Sequence, residues 1–282
     1  MAFRKILVAI DGSESQNAPL ALALALAAHG GVAVDVLHVR IDPLEAVSFA
    51  GEGMAGEVIP EIMDMTQQQS ASRAEAARAA FERACEEASI RQGAPVAGVA
   101  TARYVEEEGR EDEEVVRMGR LVDLIVVARP STDPDPAAQS TLNAALFESG
   151  HPVLIPGTDG SAIPFRRVLI AWNGSAEAAR AVSLALPLLA EADEVTVAAP
   201  AADGEEEGPQ PLVDYLACHG ITAGVRPLNP HRGAGEAVLE AAAGFDLLVM
   251  GAYTHSRLWQ LILGGVTRRM LEHARLPLFM AH

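Results

Sequence analysis

The chain repeats itself. The run Phe3-Arg4-Lys5-Ile6-Leu7-Val8-Ala9-Ile10-Asp11-Gly12-Ser13 recurs as Phe165-Arg166-Arg167-Val168-Leu169-Ile170-Ala171-Trp172-Asn173-Gly174-Ser175. Further on, Asp123–Ala128 recurs as Asp246–Gly251, and Pro152–Pro156 as Pro277–Ala281. Three matched pieces in the same order mean two copies of one fold joined head to tail. The polar stretch Gly157–Ser161 supplies the joint, so the domains are expected at 1–158 and 162–282.

Each matched piece is an apolar run of strand length, and Ala/Leu-rich helical stretches separate the runs. In the first copy, strands are expected at 5–10, 32–39, 96–104, 123–128 and 152–156, with helices at 18–29, 67–92, 112–120 and 141–149. In the second copy a first strand is expected within the run that matches the first copy's, and others at 194–199, 222–228, 246–251 and 277–281, with helices at 176–190, 211–219 and 235–243. Strands alternating with helices imply parallel sheets with right-handed crossovers. Aromatic residues make up only 4% of the chain, so the cores are aliphatic, which suits strands buried on both faces. In such sheets a ligand sits beyond the carboxyl ends of the strands. That directs attention to the turns after the first and fourth strands of each copy.

With 21 Lys and Arg against 38 Asp and Glu, the chain carries a net charge of −17. Nucleic acid is not an expected partner, because phosphate backbones need basic surfaces. Lys5 is the only lysine and no P-loop pattern occurs, so a bound phosphate would rest on backbone N–H groups, hydroxyls or Arg. Cys85 and Cys218 form neither a disulfide framework nor a zinc pattern and read as inert helix thiols. No apolar run is long enough to span a bilayer, and the first residues lead straight into a strand rather than a signal peptide. A cytoplasmic location fits.

The segment Gly251-Ala252-Tyr253-Thr254-His255-Ser256-Arg257, followed by Leu263-Gly264-Gly265-Val266-Thr267-Arg268, resembles the signature of the universal stress protein family. The Asp11-Gly12-Ser13 turn and His273-Ala274 before Pro277 support the likeness, which covers both halves and is similar to the tandem bacterial type. The resemblance implies two Rossmann-like, adenine nucleotide α hydrolase-like domains, each a five-stranded parallel sheet of order 3-2-1-4-5 flanked by helices. It also implies pairing through the last strands: a homodimer in single-domain members, an intramolecular pseudo-dimer here, with a further homodimer possible.

Nucleotide-binding members carry Gly-x-x-Gly, nine residues, then Gly-Ser/Thr. Glycines admit phosphate close to the backbone, and a helix N-terminus attracts the anion. Laid on the second half, Gly251 and Gly264 match. Thr254 replaces the second glycine, Gly265 stands at the Ser/Thr position with Val266 and Thr267 following, and Asn173 replaces the Asp of the first turn. Asn173, Gly174, Met250, Gly251, Thr254, Gly264, Gly265, Val266 and Thr267 are therefore the candidate residues for ATP or another adenine nucleotide. The first half keeps Asp11 and Ser13 but has Ala128-Arg129-Pro130 and Gln139-Ser140 where the glycines belong. Proline removes donors, so Asp11, Ser13, Arg129 and Ser140 are the lesser candidates and that half is expected to be mainly structural.

No Ser–His–Asp set, paired carboxylates or metal cluster emerges, so no catalytic or metal-binding residue is assigned. His255 and His231 read as loop residues and His38 as a satisfied core or edge histidine. Glu106–Glu108, Glu111–Glu114 and Glu205–Glu207 read as solvated surface, with the second run beginning a helix. Two functions compete: a stress-response protein that binds an adenine nucleotide and signals to protein partners, and a scaffold of the same fold that binds partners or a small ligand without nucleotide. A slow ATPase is the enzymatic alternative.

Overall fold

The computed structural model describes residues 3–41, 59–130, 136–158, 163–200, 208–252 and 265–282. They form an α/β fold with mostly parallel sheets, divided into two compact units.

The first unit comprises Arg4–Ala128 and Pro136–Ser149. Its elements are β1 (Lys5–Ala9), α1 (Asn17–Gly30), β2 (Ala33–Arg40), α2 (Ile59–Glu87), β3 (Arg91–Gln92), β4 (Thr101–Glu108), α3 (Glu111–Gly119), β5 (Leu124–Val126) and α4 (Pro136–Glu148). The strands lie in the order β3-β4-β2-β1-β5, all parallel. Ile6, Leu7, Val8, Leu124, Ile125 and Val126 are fully buried, as central parallel strands covered on both faces require.

One charge interrupts this core. Asp35 on β2 is fully buried, salt-bridged to Lys5 Nζ at 3.0 Å and held bidentately by Arg103 Nε and Nη2 at 3.0 and 2.9 Å. The parallel register sets Leu7 and Arg103 opposite Asp35. A buried carboxylate needs such partners to offset its desolvation, and the only lysine of the chain is engaged in supplying one.

The second unit comprises Gly150–His282 with Arg129. It holds β6 (Val153–Ile155), β7 (Arg167–Ala171), α5 (Ala176–Leu189), β8 (Glu194–Pro200), α6 (Gln210–Cys218), β9 (Ala223–Leu228), α7 (Ala234–Ala241), β10 (Leu247–Gly251), α8 (Gly265–His273) and β11 (Leu278–Ala281). Its strands run β6-β11-β10-β7-β8-β9. All neighbours are parallel except β6, which pairs antiparallel with β11 through Leu278 opposite Ile155 and Met280 opposite Val153.

Residues 150–158 group with the second unit, where β6 pairs with β11. The structure departs from the sequence reading in three places. The long helix spans Ile59–Glu87 rather than 67–92. It begins earlier because Pro60 is tolerated in a first turn, and it ends where Ser89 adopts φ 53° and Ile90 N–H donates to Cys85 O. The third strand begins at Thr101 rather than Val96, because Gly93 and Gly98 at positive φ turn the chain first. It then runs on to include Glu106–Glu108, which lie opposite His38, Val39 and Arg40. Glu106 is within 4 Å of Arg40 and Arg78, so these acids are strand residues with cationic neighbours, not loop residues. Helix α4 starts at Pro136, five residues before the expected position.

Candidate functional site

In the first unit the turn after β1 is closed on itself. Asp11 Oδ1 accepts from Ser13 N–H at 3.0 Å and from Ser13 Oγ at 2.7 Å, and buried Gln16 accepts from Gly12 N–H at 3.0 Å. Gly12 has φ 80°, and any Cβ there would overlap the backbone of Arg73. Helix α2 thus lies directly on this turn. The other candidates of this repeat have protein partners too. Ser140 Oγ donates to Asp112 Oδ2 at 2.7 Å, and Thr141 Oγ1 to Glu111 Oε1 at 2.9 Å. The first turn of α3 carries Glu111, Asp112, Glu113 and Glu114. Arg110, helped by Ser140, holds the Asp112 carboxyl below its ordinary range. An anion at Ser140 would meet these carboxylates.

Arg129, the candidate anion partner of this repeat, is engaged with main-chain groups. All five of its N–H donors are directed at carbonyl oxygens: Nε and Nη2 at Pro156 O (3.2 and 3.1 Å), Nη1 at Met270 O and Leu271 O (3.1 and 2.9 Å), and Nη2 at Leu276 O (3.2 Å). Burial among these groups pushes the guanidinium down to about 10, still charged at neutral pH.

The second unit presents the same turn in a more open form. Asn173 Oδ1 accepts from Ser175 N–H at 3.2 Å, and Ser175 caps α5 by accepting from Ala178 N–H at 3.1 Å. Asn173 and Gly174 are exposed. Gly174 has φ 73°, and among the described residues nothing lies within 4 Å of where its Cβ would be. Met250 lies opposite Ala171 in the β10–β7 ladder, which brings Gly251 and Ala252 beside this turn. Met250 is buried, and Ala252 N–H donates to Ala281 O at 2.8 Å.

Gly251 is required for packing. A Cβ there would fall 2.5 Å from Ala178 N and 2.7 Å from Glu177 C, so β10 ends flush against the first turn of α5. The sequence reading gave this glycine to phosphate approach alone and missed that contact, as well as the capping role of Ser175. The signal for both was present: Ser-Ala-Glu-Ala after the turn is a helix start with a small residue where the strand end arrives. Helix α8 opens with Gly265, exposed and with open space around it among the described residues, then half-buried Val266 and buried Thr267. Thr254, His255 and Gly264 lie outside the described residues, as do Glu205–Glu207.

Of the remaining histidines, His231 is placed as expected and His38 only in part, being buried but not fully satisfied among the described residues. His231 is on the surface. His38 is in the core, with Nδ1 against Ile10 O at 3.0 Å, while its buried Nε2 has no partner, so it is only half satisfied. Among the described residues no three His, Cys, Asp or Glu side chains group as metal ligands, and no helix is long and apolar enough to cross a membrane.

The sequence model of the universal stress protein family matches residues 2–155, the first repeat. A universal stress protein from Archaeoglobus fulgidus DSM 4304 has a similar structure, with a TM-score of 0.68 at 16% identity over 98% of this chain and 97% of that one. A functionally unknown protein from Pseudomonas aeruginosa PAO1 gives a TM-score of 0.54 at 14% identity, over 99% and 92% of the two chains. At such identities the likeness is one of fold. Among curated proteins, none matches the sequence.

Proposed function

The chain belongs to the universal stress protein family, and on that premise we propose that its second repeat binds an adenine nucleotide (ATP, ADP or AMP) at the ends of β7 and β10 and passes the nucleotide level to a protein partner. The observation that carries this reading is the contrast between the two copies of one turn. Gly12 is packed under α2, whereas Gly174 faces open space among the described residues. The second repeat also supplies the first turn of α8, and helix N-termini attract anions. Asn173 stands where the family's Asp contributes near the nucleoside, and its amide makes that contact a neutral one, which favours the scaffold reading.

The role is binding rather than turnover: none of the residues assigned to the site in the second repeat is a His, Cys, Asp or Glu that could serve as a base. A nucleotide-free scaffold is the second reading. It is favoured by Gly251, whose packing on α5 would be kept with or without a ligand. Partner proteins, further self-association and a cytoplasmic location belong to the same proposal.

Calorimetry of the full chain with ATP, ADP and AMP tests it. Saturable one-site binding is expected, lost in Gly264→Val, whose branched side chain would occupy the phosphate position, while the circular dichroism spectrum stays unchanged. No heat with any of the three nucleotides at millimolar concentration would leave the scaffold reading.

A further inference from the structure

Helix α8 is nine residues long. A helix this short has little stability of its own and depends on tertiary anchors for its place. Its apolar side is anchored by buried Met270 and Leu271. Its outer side is tied to α7 by Arg269 and Glu236 at 2.9 Å, and Gly235 lies close to the Arg269 side chain. At its C-terminal end Met270 O accepts from Ala274 N–H at 3.0 Å, and Arg129 donates to both Met270 O and Leu271 O, in the last turn where helix carbonyls run short of partners.

The same guanidinium reaches Leu276 O in the turn leading to β11 and Pro156 O after β6. A second tie runs alongside: Thr158 N–H donates to Arg275 O at 2.8 Å, and Gly157 is so close to Arg275 and Leu276 that a Cβ would overlap them. A planar fork with five donors matches four carbonyls in a way that a lysine ammonium, with three, would not. A fixed positive charge at a helix C-terminus also complements the helix dipole. The second repeat has Ala252 at the position corresponding to Arg129, so this clamp is built once.

We infer that Arg129 is a positioning residue: by gripping the C-terminal end of α8 it fixes the direction of the whole helix, and so the place where the first-turn N–H groups of Gly265 and Val266 meet the phosphates of a bound nucleotide. The inference rests on the nucleotide-binding reading, and it predicts that Arg129 matters for the phosphate part of the ligand and not for the nucleoside part.

The test compares ATP with adenosine, using the wild-type chain, Arg129→Lys and Arg129→Met. ATP binding should weaken about tenfold in Arg129→Met, an interaction difference of ordinary allosteric size, and by less in Arg129→Lys, while adenosine binding changes less than about twofold. Equal weakening of both ligands, or of neither, overturns the inference. Amide hydrogen exchange provides the readout should Arg129→Met fail to fold or the wild type bind no nucleotide, an outcome that ends the proposed function but leaves the clamp open to test. The α8 amides of Arg129→Lys should exchange about tenfold faster than in the wild type while those of α5 hold their rate. Unchanged α8 amides, or acceleration spread evenly over the unit, would show that Arg129 does not hold the helix.

Discussion

Cys85 and Cys218 look alike in the sequence, each near the end of a helix, and the fold separates them. Cys85 is buried and its thiol is pushed up to about 11 by desolvation, while Cys218 is exposed at the end of α6. A thiol-specific reagent at pH 8 should therefore label one equivalent of native protein quickly, and Cys218→Ser should abolish that fast phase. The Cys85 shift also has a stability consequence. Between pH 9 and about 11 the unfolded chain releases this proton and the folded one retains it, so folding loses stability as pH rises through that window. Tyr104, raised to about 12 by burial and then by Glu106, extends the loss to higher pH. Thermal melts from pH 8 to 11 should decline, and less steeply in Cys85→Ala compared with its own value at pH 8. Sequence alone suggested only that both thiols are inert, because exposure depends on how each helix is rotated about its axis.

Elements repeat more faithfully than residues do. Asp123 Oδ2 accepts from the N–H groups of Arg4 and Lys5 at 2.7 and 2.9 Å, and Asp246 Oδ2 from those of Arg166 and Arg167 at 3.0 and 2.8 Å. The matched strands Lys5–Ala9 and Arg167–Ala171 are thus started by the same carboxylate grip, and the duplicated runs that revealed the fold include both aspartates. What the sequence left open is where the elements end: the first turn of α2 with Pro60 inside it, the late start of β4 after the Gly93 and Gly98 turns, and the place of β6, which its pairing with distant β11 decides. The helix–strand junction at Gly251 provides the test at this scale. Gly251→Ala forces a methyl group into the α5 backbone and should cost about 1–3 kcal/mol, the usual penalty for overpacking. Gly265→Ala places a methyl group where nothing lies within 4 Å among the described residues, at a helix start, and should be neutral or gain up to about 1 kcal/mol. Urea denaturation of the two variants against the wild type measures both, and equal effects would mean that β10 and α5 do not meet as described.

Across the whole chain, 38 acidic against 21 basic side chains give a net charge of −17. Self-repulsion of that size opposes the compact state. Because screening lengths fall from about 30 Å at 0.01 M salt to about 8 Å at 0.15 M, the melting temperature should rise over that range. A fall would mean that the arginine–carboxylate pairs on the surface outweigh the net repulsion. Charge balance was fully legible in the sequence, while the site at strand ends in the second repeat stays the reading proposed above. The closing of the first repeat was only half legible: missing glycines showed its erosion, but that α2 covers Gly12 follows from a contact more than sixty residues away in the chain. The ion pair between Lys5 and Asp35 has a consequence of another kind. With its sole ε-amine bound to a buried carboxylate, the protein offers almost no purchase to acetylation, ubiquitin attachment or any other acyl transfer that works through lysine, so covalent control of its activity or lifetime would have to act on hydroxyls, thiols or guanidines.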